Sequence, residues 1–389
     1  MLRDGKYAFS GYRGVAIPKK PDASRSNPKD FRPISIASIQ DRIVQRAILE
    51  RIWFDIRDKV CTKSSFGGIR KYSNKSGKPD YDLGESSKGN IYNAVKRICD
   101  LRAAGRQWVF ETDIENFYPS VNREVLFSKL FPLRDDSINE LIKNVLDTSV
   151  SNDSQLGELA TLWNPDLGVP QGGTLSPVLA NLYLHEFDQV MEKRGFEMVR
   201  YVDDLIVLCF SEVEAKEAYA LSESLLKRLG LSIHELGASK NGRVKTGIHP
   251  PNEKFDFLGL TFTSKTILPK QAKFDLLKTK ILDITDVKTN KDLLLDVIKY
   301  LNWSVKGWVN SYSFCNLQRD QDLELIDRWV NNAVRRWMRF RGLIKDEAHV
   351  SASAFKWLGI VSATEIRIDP ILKFFKCGKE ARELVITNG

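Results

Sequence analysis

Two adjacent aspartates, Asp203 and Asp204, lie between the apolar segments Met198–Val202 and Leu205–Phe210. These segments alternate or run apolar like paired strands, so the two carboxylates are predicted at the turn that joins them. Adjacent carboxylates repel each other, and a fold accepts them at a turn mainly where a cation binds. A charged turn exposed to solvent is the alternative interpretation. The pair therefore indicates a cation site only if another carboxylate lies close to it.

Asp113 is the candidate for that other carboxylate. It follows the apolar segment Trp108–Thr112, which is typical of a strand. Two Mg²⁺ ions about 4 Å apart, held by hard oxygen ligands, catalyse phosphoryl transfer. A strand ending at Asp113 beside the Asp203–Asp204 turn would supply such a site. A solvated strand end is again the alternative, and the order of the surrounding motifs has to decide between the two.

The composition is that of a globular protein with an excess of positive charge. The chain has 389 residues, 42% of them hydrophobic, and 59 lysines and arginines that leave a net charge of +9. Such a surface favours a polyanion as partner, with nucleic acid ahead of a membrane surface. No apolar stretch approaches the ~20 residues that span a bilayer, and the first residues lack a signal-peptide core. We therefore expect a cytoplasmic protein with no membrane partner.

The cysteines and histidines do not indicate a metal site or a disulfide framework. The five cysteines are scattered without a Cys-x-x-Cys spacing, and the four histidines have no spacing typical of metal ligands. We expect reduced thiols in the core or at the surface.

The elements that would position Asp113 and Asp203 alternate between strands and helices. Helical patterns follow the strands at residues 91–101, 178–191 and 212–229, and a further strand is predicted at 255–262. From residue 271 onward the pattern is helical, whereas residues 70–90 are typical of a polar loop. This order predicts an α+β core followed by a helical domain.

Several motifs in a fixed order resemble those of a known enzyme family. Three segments resemble the palm motifs of a reverse transcriptase, namely Phe110–Val121, Gly168–Pro177 and Tyr201–Asp204. Three earlier segments resemble the fingers motifs of the group II intron-like bacterial branch, namely Phe31–Ile36, Asp41–Ile48 and Ser65–Arg70. The segment Phe257–Leu260 resembles the primer-grip strand of that branch. Its helical thumb is similar to Gly307–Tyr312 with Asp327–Trp329. The similarity covers about residues 10–345, and so many matches in one order are not a product of chance.

The resemblance implies an α+β right-hand polymerase with four parts. The fingers with an N-terminal segment would span residues 1–105, and the palm, an antiparallel sheet flanked by helices, residues 106–265. The helical thumb would span residues 266–345 and a C-terminal extension residues 346–389. No Cys-rich or HNH-type nuclease pattern follows residue 345, so we expect a stand-alone enzyme.

The resemblance also implies which residues bind the metal ions. Asp113 and Asp203 would bind two Mg²⁺ ions, with Mn²⁺ as a substitute, and Asp204 would support them. Ile114 would contribute its backbone carbonyl.

The nucleotide site follows from the same resemblance. Tyr118 would lie under the incoming sugar, where a 2′-hydroxyl clashes with the ring and deoxynucleotides are favoured. A shift of register by one residue would give this role to Phe117. Gln171 and Gly172 would contact the nucleotide, because an amide can both donate and accept and glycine permits close approach. Arg32 and Lys29 would bind the triphosphate.

Other basic residues have roles that stay open at this point. Arg42 and Arg46 lie four positions apart on a helix, where phosphate contact and a solvated face are equally compatible with the sequence. Lys245 or Lys240 would be the lysine that protonates pyrophosphate. Nucleic acid is expected to contact a basic, aromatic segment through Arg328, Arg335, Arg336 and Arg339. The tryptophans between them, Trp329 and Trp337, are expected in the core.

The implied activity is RNA-directed DNA synthesis. The partners would be dNTPs, an RNA template and the cDNA product. We expect the template to be a dedicated non-coding RNA, and the expected role is antiviral defence. An RNA-binding splicing cofactor (a maturase) and another retroelement-derived polymerase are the alternatives. A ribonucleotide polymerase is disfavoured by the aromatic residue at the sugar position.

Overall fold

The computed structural model of the protein describes residues 7–19, 22–68, 90–131, 133, 135–164, 166–240, 243–287, 293–345 and 351–372. Two compact units make up the chain, Met1–Pro251 and Asn252–Gly389. Residues 69–89 lie outside the described residues. They include the predicted polar loop at residues 70–90, apart from Asn90, and Ile69 and Arg70 of the third fingers motif.

The first unit is built around a four-stranded antiparallel sheet. Its strands and those of two hairpins are β1 (Arg13–Pro18), β2 (Phe31–Ile36), β3 (Trp108–Asp113), β4 (Glu197–Tyr201), β5 (Asp204–Cys209), β6 (Ser239–Lys240), β7 (Arg243–Val244) and β8 (Thr246–His249). The order in the four-stranded sheet is β4-β5-β3-β8, while β1 pairs with β2 and β6 with β7. The sheet places the end of β3 beside the turn between β4 and β5, with Asp113 opposite Asp204.

Helices cover this sheet on both sides. In chain order they are α1 (Ile39–Val60), α2 (Asn90–Ala103), α3 (Phe117–Ser120), α4 (Arg123–Leu130), α5 (Asp136–Asp147), α6 (Asp153–Leu156), α7 (Ser176–Tyr183), α8 (His185–Lys193) and α9 (Glu212–Arg228). Helix α2 contacts β4 and β5, and α9 contacts β3 and β5. The apolar run in β5 is completely buried for this reason, since a strand with both faces covered needs no alternation.

Local sequence signals explain where the helices begin. Ser38 caps α1 by accepting a hydrogen bond from the Asp41 amide at 3.1 Å, and Ser211 caps α9 through the Glu214 amide at 3.2 Å. The predicted helical run 178–191 is divided into α7 and α8 at Leu184.

The second unit contains a small sheet and helices. Its elements are β9 (Phe255–Phe257), β10 (Leu260–Phe262), β11 (Ile267–Pro269), α10 (Gln271–Ile284), α11 (Leu294–Ser311), α12 (Glu324–Phe340) and α13 (Ala352–Trp357). Short 3₁₀ and π turns complete the chain at Pro28–Asp30, Gly157–Leu162, Arg319–Leu323 and Ala363–Glu365. The strand order is β11-β10-β9.

The single strand predicted at residues 255–262 is a hairpin, so that prediction is wrong. Leu258 and Gly259 have φ values of 52° and 77°, and Phe257 pairs with Leu260 around them. Two central residues with positive φ form the turn that matches the twist of a hairpin. The continuous apolar sequence concealed this turn because only Gly259 is a turn-forming residue.

The division between the units falls after Pro251, whereas the predicted palm extends to residue 265. The small sheet belongs to the second unit because, among the described strands, β9, β10 and β11 pair only with one another. The other predicted domain boundaries stay predictions. Among the described helices, none is both long and apolar enough to cross a membrane.

Candidate active site

The ends of β3, β4 and β5 bring Asp113 and Asp203 together. Asp113 is the last residue of β3, and Asp203 lies in the turn between Tyr201 and Asp204. The Ile114 amide donates a hydrogen bond to the Asp203 carbonyl at 3.1 Å. Asp203 therefore lies directly beside the end of β3, as the sequence predicts.

The electrostatics of this pair fit a bound cation. Burial raises the pKa of Asp203, and the neighbouring Asp113 carboxylate raises it further, while Arg32 and Lys245 act in the opposite direction. The Lys245 ammonium lies 2.5 Å from Asp113 Oδ2. Asp113 Oδ1 is buried and has no hydrogen-bond partner among the described residues. A buried carboxylate oxygen with no donor is a ligand atom available to a cation.

The carboxylates by themselves do not complete a metal site. Within the described part of the chain, no group of three or more His, Cys, Asp or Glu side chains is arranged to hold a metal ion. Mg²⁺ takes one or two carboxylates and completes its octahedron with water and substrate phosphate, so Asp113 and Asp203 fit it. Asp204 lies opposite Asp113 in the strand register but does not line the cleft described next.

A cleft of about 260 Å³ opens beside the two aspartates. The predicted site residues that line it are Arg32, Asp113, Ile114, Phe117, Tyr118, Gln171, Asp203 and Lys245. Residues not predicted for the site also line it, among them Lys19, Glu115, Asn116 and His234. The cleft therefore collects residues from β2, β3, α3, the loop before α7 and the β4–β5 turn.

Tyr118 and Phe117 are distinguished by burial. Phe117 is 2% exposed and belongs to the hydrophobic core. Tyr118 is only partly buried, and burial together with the charge of Asp203 raises the pKa of its hydroxyl. Both rings line the cleft, and Tyr118 is the more exposed of the two.

The loop that carries Gln171 is held by backbone contacts. The Ser35 amide of β2 donates to the Gln171 carbonyl at 2.7 Å, and the Thr174 amide donates to Gln45 Oε1 at 2.9 Å. Gly172 has φ 111°, and a Cβ there would lie 2.9 Å from the Ser35 carbonyl oxygen. Glycine is therefore required both for its conformation and for the close approach of β2.

Lys19 reaches the cleft, whereas Lys29 does not. Lys29 is exposed and absent from the lining. The Lys19 ammonium donates to the Lys29 carbonyl at 2.9 Å and to Asn116 Oδ1 at 3.5 Å. The β1–β2 pairing explains this position, since Pro18 lies opposite Phe31 and the hairpin brings Lys19 towards Arg32.

Two further basic positions differ in their surroundings. Arg46 forms an ion pair with Glu50 at 2.8 Å on the surface of α1, and Arg42 is exposed. His234 forms an ion pair with Glu115 at the edge of the cleft. The sequence did not predict this pair because His234 lies outside the recognised motifs. The side chain of Lys240 lies outside the described residues.

In the second unit, α12 carries the predicted nucleic-acid contacts. Its buried side includes Trp337, whereas Arg328, Arg336 and Arg339 are exposed. Arg335 is half-buried, and its guanidinium lies 5.0 Å from the centroid of the Phe355 ring. The prediction that Trp337 is a core residue is confirmed, and Trp329, below the Lys278 ammonium at 5.7 Å, is partly buried.

Comparison with known families agrees with this geometry. Residues 17–262 match the family described as Reverse transcriptase (RNA-dependent DNA polymerase). Residues 275–341 match the one described as Group II intron, maturase-specific domain.

Individual relatives match about half of the chain. The group II intron-encoded protein LtrA of Lactococcus lactis subsp. cremoris is 27% identical over 189 residues, which are 48% of this chain and 26% of that protein. Protein YkfC of Escherichia coli (strain K12) is 28% identical over 200 residues, 50% of this chain and 44% of that protein. The matched region thus spans less than half the length of either relative.

Among solved structures, apo telomerase from Candida tropicalis matches 98% of this chain and 70% of its own with 13% identity and a TM-score of 0.47. This similarity is too low to add to the assignment. The match over residues 17–262, with its two aspartates at the strand ends, is sufficient. The chain belongs to the reverse transcriptase family, in its group II intron-like branch.

Proposed function

We propose that the protein is an RNA-directed DNA polymerase that adds deoxynucleotides to a 3′-hydroxyl, or to a protein hydroxyl, on an RNA template. The observation that carries the proposal is Asp113 Oδ1, a buried oxygen with no partner in the described part of the chain, beside Asp203 in a cleft lined by cations. Family membership supports the same activity.

Asp113 and Asp203 would hold two Mg²⁺ ions, or Mn²⁺ in their place, with the Ile114 carbonyl and Asp204 in support. Bound there, the ions would stabilise the charge on the transferred phosphate and activate the attacking hydroxyl. The protein contributes by keeping both carboxylates at the end of one sheet, so that little reorganisation precedes the reaction.

The other residues of the cleft would bind and orient the nucleotide. Arg32 and Lys19 are cations on the side where the triphosphate would lie, and they would neutralise its charge. Tyr118 would lie under the sugar, and Gln171 would contact the nucleotide through its amide. Lys245, with Nζ beside Asp113, is the candidate for protonating the pyrophosphate oxygen that leaves.

The proposed partners are dNTPs, an RNA template and the cDNA product, in the cytoplasm. Resemblance to bacterial intron-like enzymes supports a role in antiviral defence with a dedicated non-coding RNA. Sequencing the RNA and cDNA that copurify with the protein tests this role. One abundant RNA species with a matching cDNA is the expected result, and a random sample of cellular RNA contradicts it.

The activity is tested with Asp203→Asn in a primer-extension assay with Mg²⁺, dNTPs and a primed RNA. The wild-type protein is expected to extend the primer, and the variant is expected to show no primer extension. Because burial disfavours the charged form of Asp203, the neutral variant should unfold at a slightly higher temperature without metal.

Asp100→Asn is the matched control, since Asp100 is an exposed carboxylate paired with Lys96 on α2, outside the cleft. It should retain full extension. Extension by Asp203→Asn equal to that of this control would remove Asp203 from the proposed site.

A maturase is the second candidate, favoured by the match of residues 275–341. A maturase would bind a structured intron RNA and accelerate its splicing without using the aspartates. If Asp203→Asn promotes splicing of a group II intron RNA as well as the wild-type protein does, RNA binding is a function of its own.

A further inference from the structure

The turn that carries Asp203 has a backbone conformation that its own residues do not favour. Val202, the residue before Asp203, has φ 64°. A β-branched residue is an outlier in this left-handed region because its side chain crowds the backbone. Such a conformation persists only where the surroundings hold it. The direction of the Asp203 carboxylate therefore depends on whatever holds Val202.

Arg200 bonds directly to Val202. Its Nη1 donates to the Val202 carbonyl at 2.9 Å and to Asn181 Oδ1 at 2.9 Å. Its Nε and Nη2 donate to the two carboxylate oxygens of Asp188 at 2.7 and 2.5 Å. Both side chains of this ion pair are 0% exposed. A two-point contact between a guanidinium and a carboxylate fixes the guanidinium plane, and so it fixes the N–H group that points at Val202.

Asn181 connects the Arg200 guanidinium to residues 65–67. Its Oδ1 also accepts from Ser65 Oγ at 2.9 Å, and its Nδ2 donates to the Gly67 carbonyl at 2.7 Å. The segment is also bonded to β4, since the Phe66 amide donates to the Arg200 carbonyl at 2.9 Å. The three side chains Arg200, Asp188 and Asn181, named here the Arg200 network, thus join β4, α8, α7 and residues 65–67.

Gly67 lies against the turn itself. A Cβ added at Gly67 would lie 2.8 Å from Val202 Cγ2 and 2.9 Å from both the Val202 nitrogen and Tyr201 Cδ1. The segment Ser65–Gly68, which resembles a fingers motif, therefore packs behind the aspartate turn and does not line the cleft.

We propose that the Arg200 network positions Asp203, and that Arg200 is the positioning residue that holds Val202 in its left-handed conformation. The inference rests on the proposed polymerase function and goes beyond it. Apolar side chains of the same volume often stabilise a fold as well as a buried ion pair does, or better. Stability alone is therefore a weak reason for a guanidinium that bonds the residue next to a metal ligand.

Arg200→Lys tests the role, because lysine keeps the charge but cannot bond Asp188 at two points and also reach Val202. The rate constant kcat for nucleotide addition is expected to fall about 100-fold, as small displacements of reacting groups cause. The KM for dNTP should not change, since Arg200 does not line the cleft.

Arg106→Lys is the matched control. Arg106 Nη1 also bonds a backbone carbonyl, that of Leu208 at 3.2 Å, and a carboxylate, that of Glu214 at 2.6 Å. These contacts lie at the other end of β5. The control should lower the unfolding temperature without changing kcat per folded molecule.

Hydrogen exchange gives a readout that does not need catalysis. The Ile114 amide bonds to the Asp203 carbonyl, so its exchange rate reports the geometry of the turn. Exchange at Ile114 is expected to accelerate in Arg200→Lys and to stay unchanged in Arg106→Lys. Equal exchange in both variants overturns the inference. Lack of extension by the wild-type protein would remove the proposed function only, because the exchange result stands without it.

Two further variants separate positioning from stability. Glycine adopts positive φ readily, so Val202→Gly should restore part of the kcat lost in Arg200→Lys. Additive losses in the double variant contradict the positioning role. If Arg200→Lys does not fold, Gly67→Ala takes its place, since its Cβ would push on Val202 while the ion pair stays intact. Unchanged kcat and unchanged Ile114 exchange in Gly67→Ala would then overturn the inference.

Discussion

Tyr118 and Phe117 are neighbours in sequence but have different surroundings. The sequence favoured Tyr118 for the sugar position and left Phe117 as an alternative. Both rings line the cleft, but Phe117 is part of the core, whereas Tyr118 is only partly buried and lies within reach of the charge of Asp203. The burial of two adjacent aromatic residues cannot be predicted from their types, because it depends on which side of the short helix α3 faces the sheet.

At the residue scale, Tyr118→Ala is expected to relax the choice of sugar. Removing the ring removes the group that a 2′-hydroxyl would meet, so rNTP incorporation should rise by roughly 10- to 100-fold relative to dNTP incorporation. Single-nucleotide addition assays measure the ratio of kcat/KM for the two substrates. Phe117→Ala is the control, because its loss of core packing should cost about 3–5 kcal/mol of stability. A larger sugar effect in Phe117→Ala would exchange the two roles.

At the element scale, the arginines of α12 divide into two kinds. The sequence grouped Arg328, Arg335, Arg336 and Arg339 because no acidic residue separates them. The helical period then places Arg335 beside Phe355, while the other three are exposed. The amphipathic pattern predicted the buried side of α12, but it did not predict that the partner of Arg335 would come from α13.

The arginines of α12 should therefore differ in their effect on RNA binding. Arg336→Ala and Arg339→Ala should each reduce the slope of log K against log salt concentration by about 0.7 to 0.9, the value for one lost phosphate contact. Arg335→Ala should mainly lower the unfolding temperature, since a cation–π contact contributes about 0.5–1 kcal/mol. Fluorescence anisotropy of a labelled RNA at several salt concentrations measures the slopes. The same slope change in all three variants would contradict the division.

At the scale of the whole molecule, the described cysteines are distributed through both units. Cys61, Cys99, Cys209 and Cys315 form no disulfide within the described residues. Burial raises the pKa of Cys61 to about 11 and the pKa of Cys99 and Cys209 to about 12. The folded protein thus keeps these thiols protonated at neutral pH, and the thiolate is the reactive form.

The three thiols with raised pKa should resist alkylation by iodoacetamide at pH 8 in the native protein and react after unfolding. At that pH a thiol with a pKa of 11 is about one part in a thousand thiolate. A pKa raised in the folded state stabilises the fold below pH ~9, and this stabilisation is lost as the pH rises through 11 to 12. Peptide mass spectrometry measures the reaction at each cysteine. Rapid native alkylation of Cys99 would contradict its burial.

By itself the sequence determined the family, the order of the motifs and the two aspartates at strand ends. These depend on residue types and on the strand period, which are local properties. The tertiary structure alone decided the contacts between distant segments. Arg200 meets Asn181 across 19 positions and Lys245 meets Asp113 across 132. Such contacts follow from strand pairing and burial, which bring side chains together regardless of their separation along the chain.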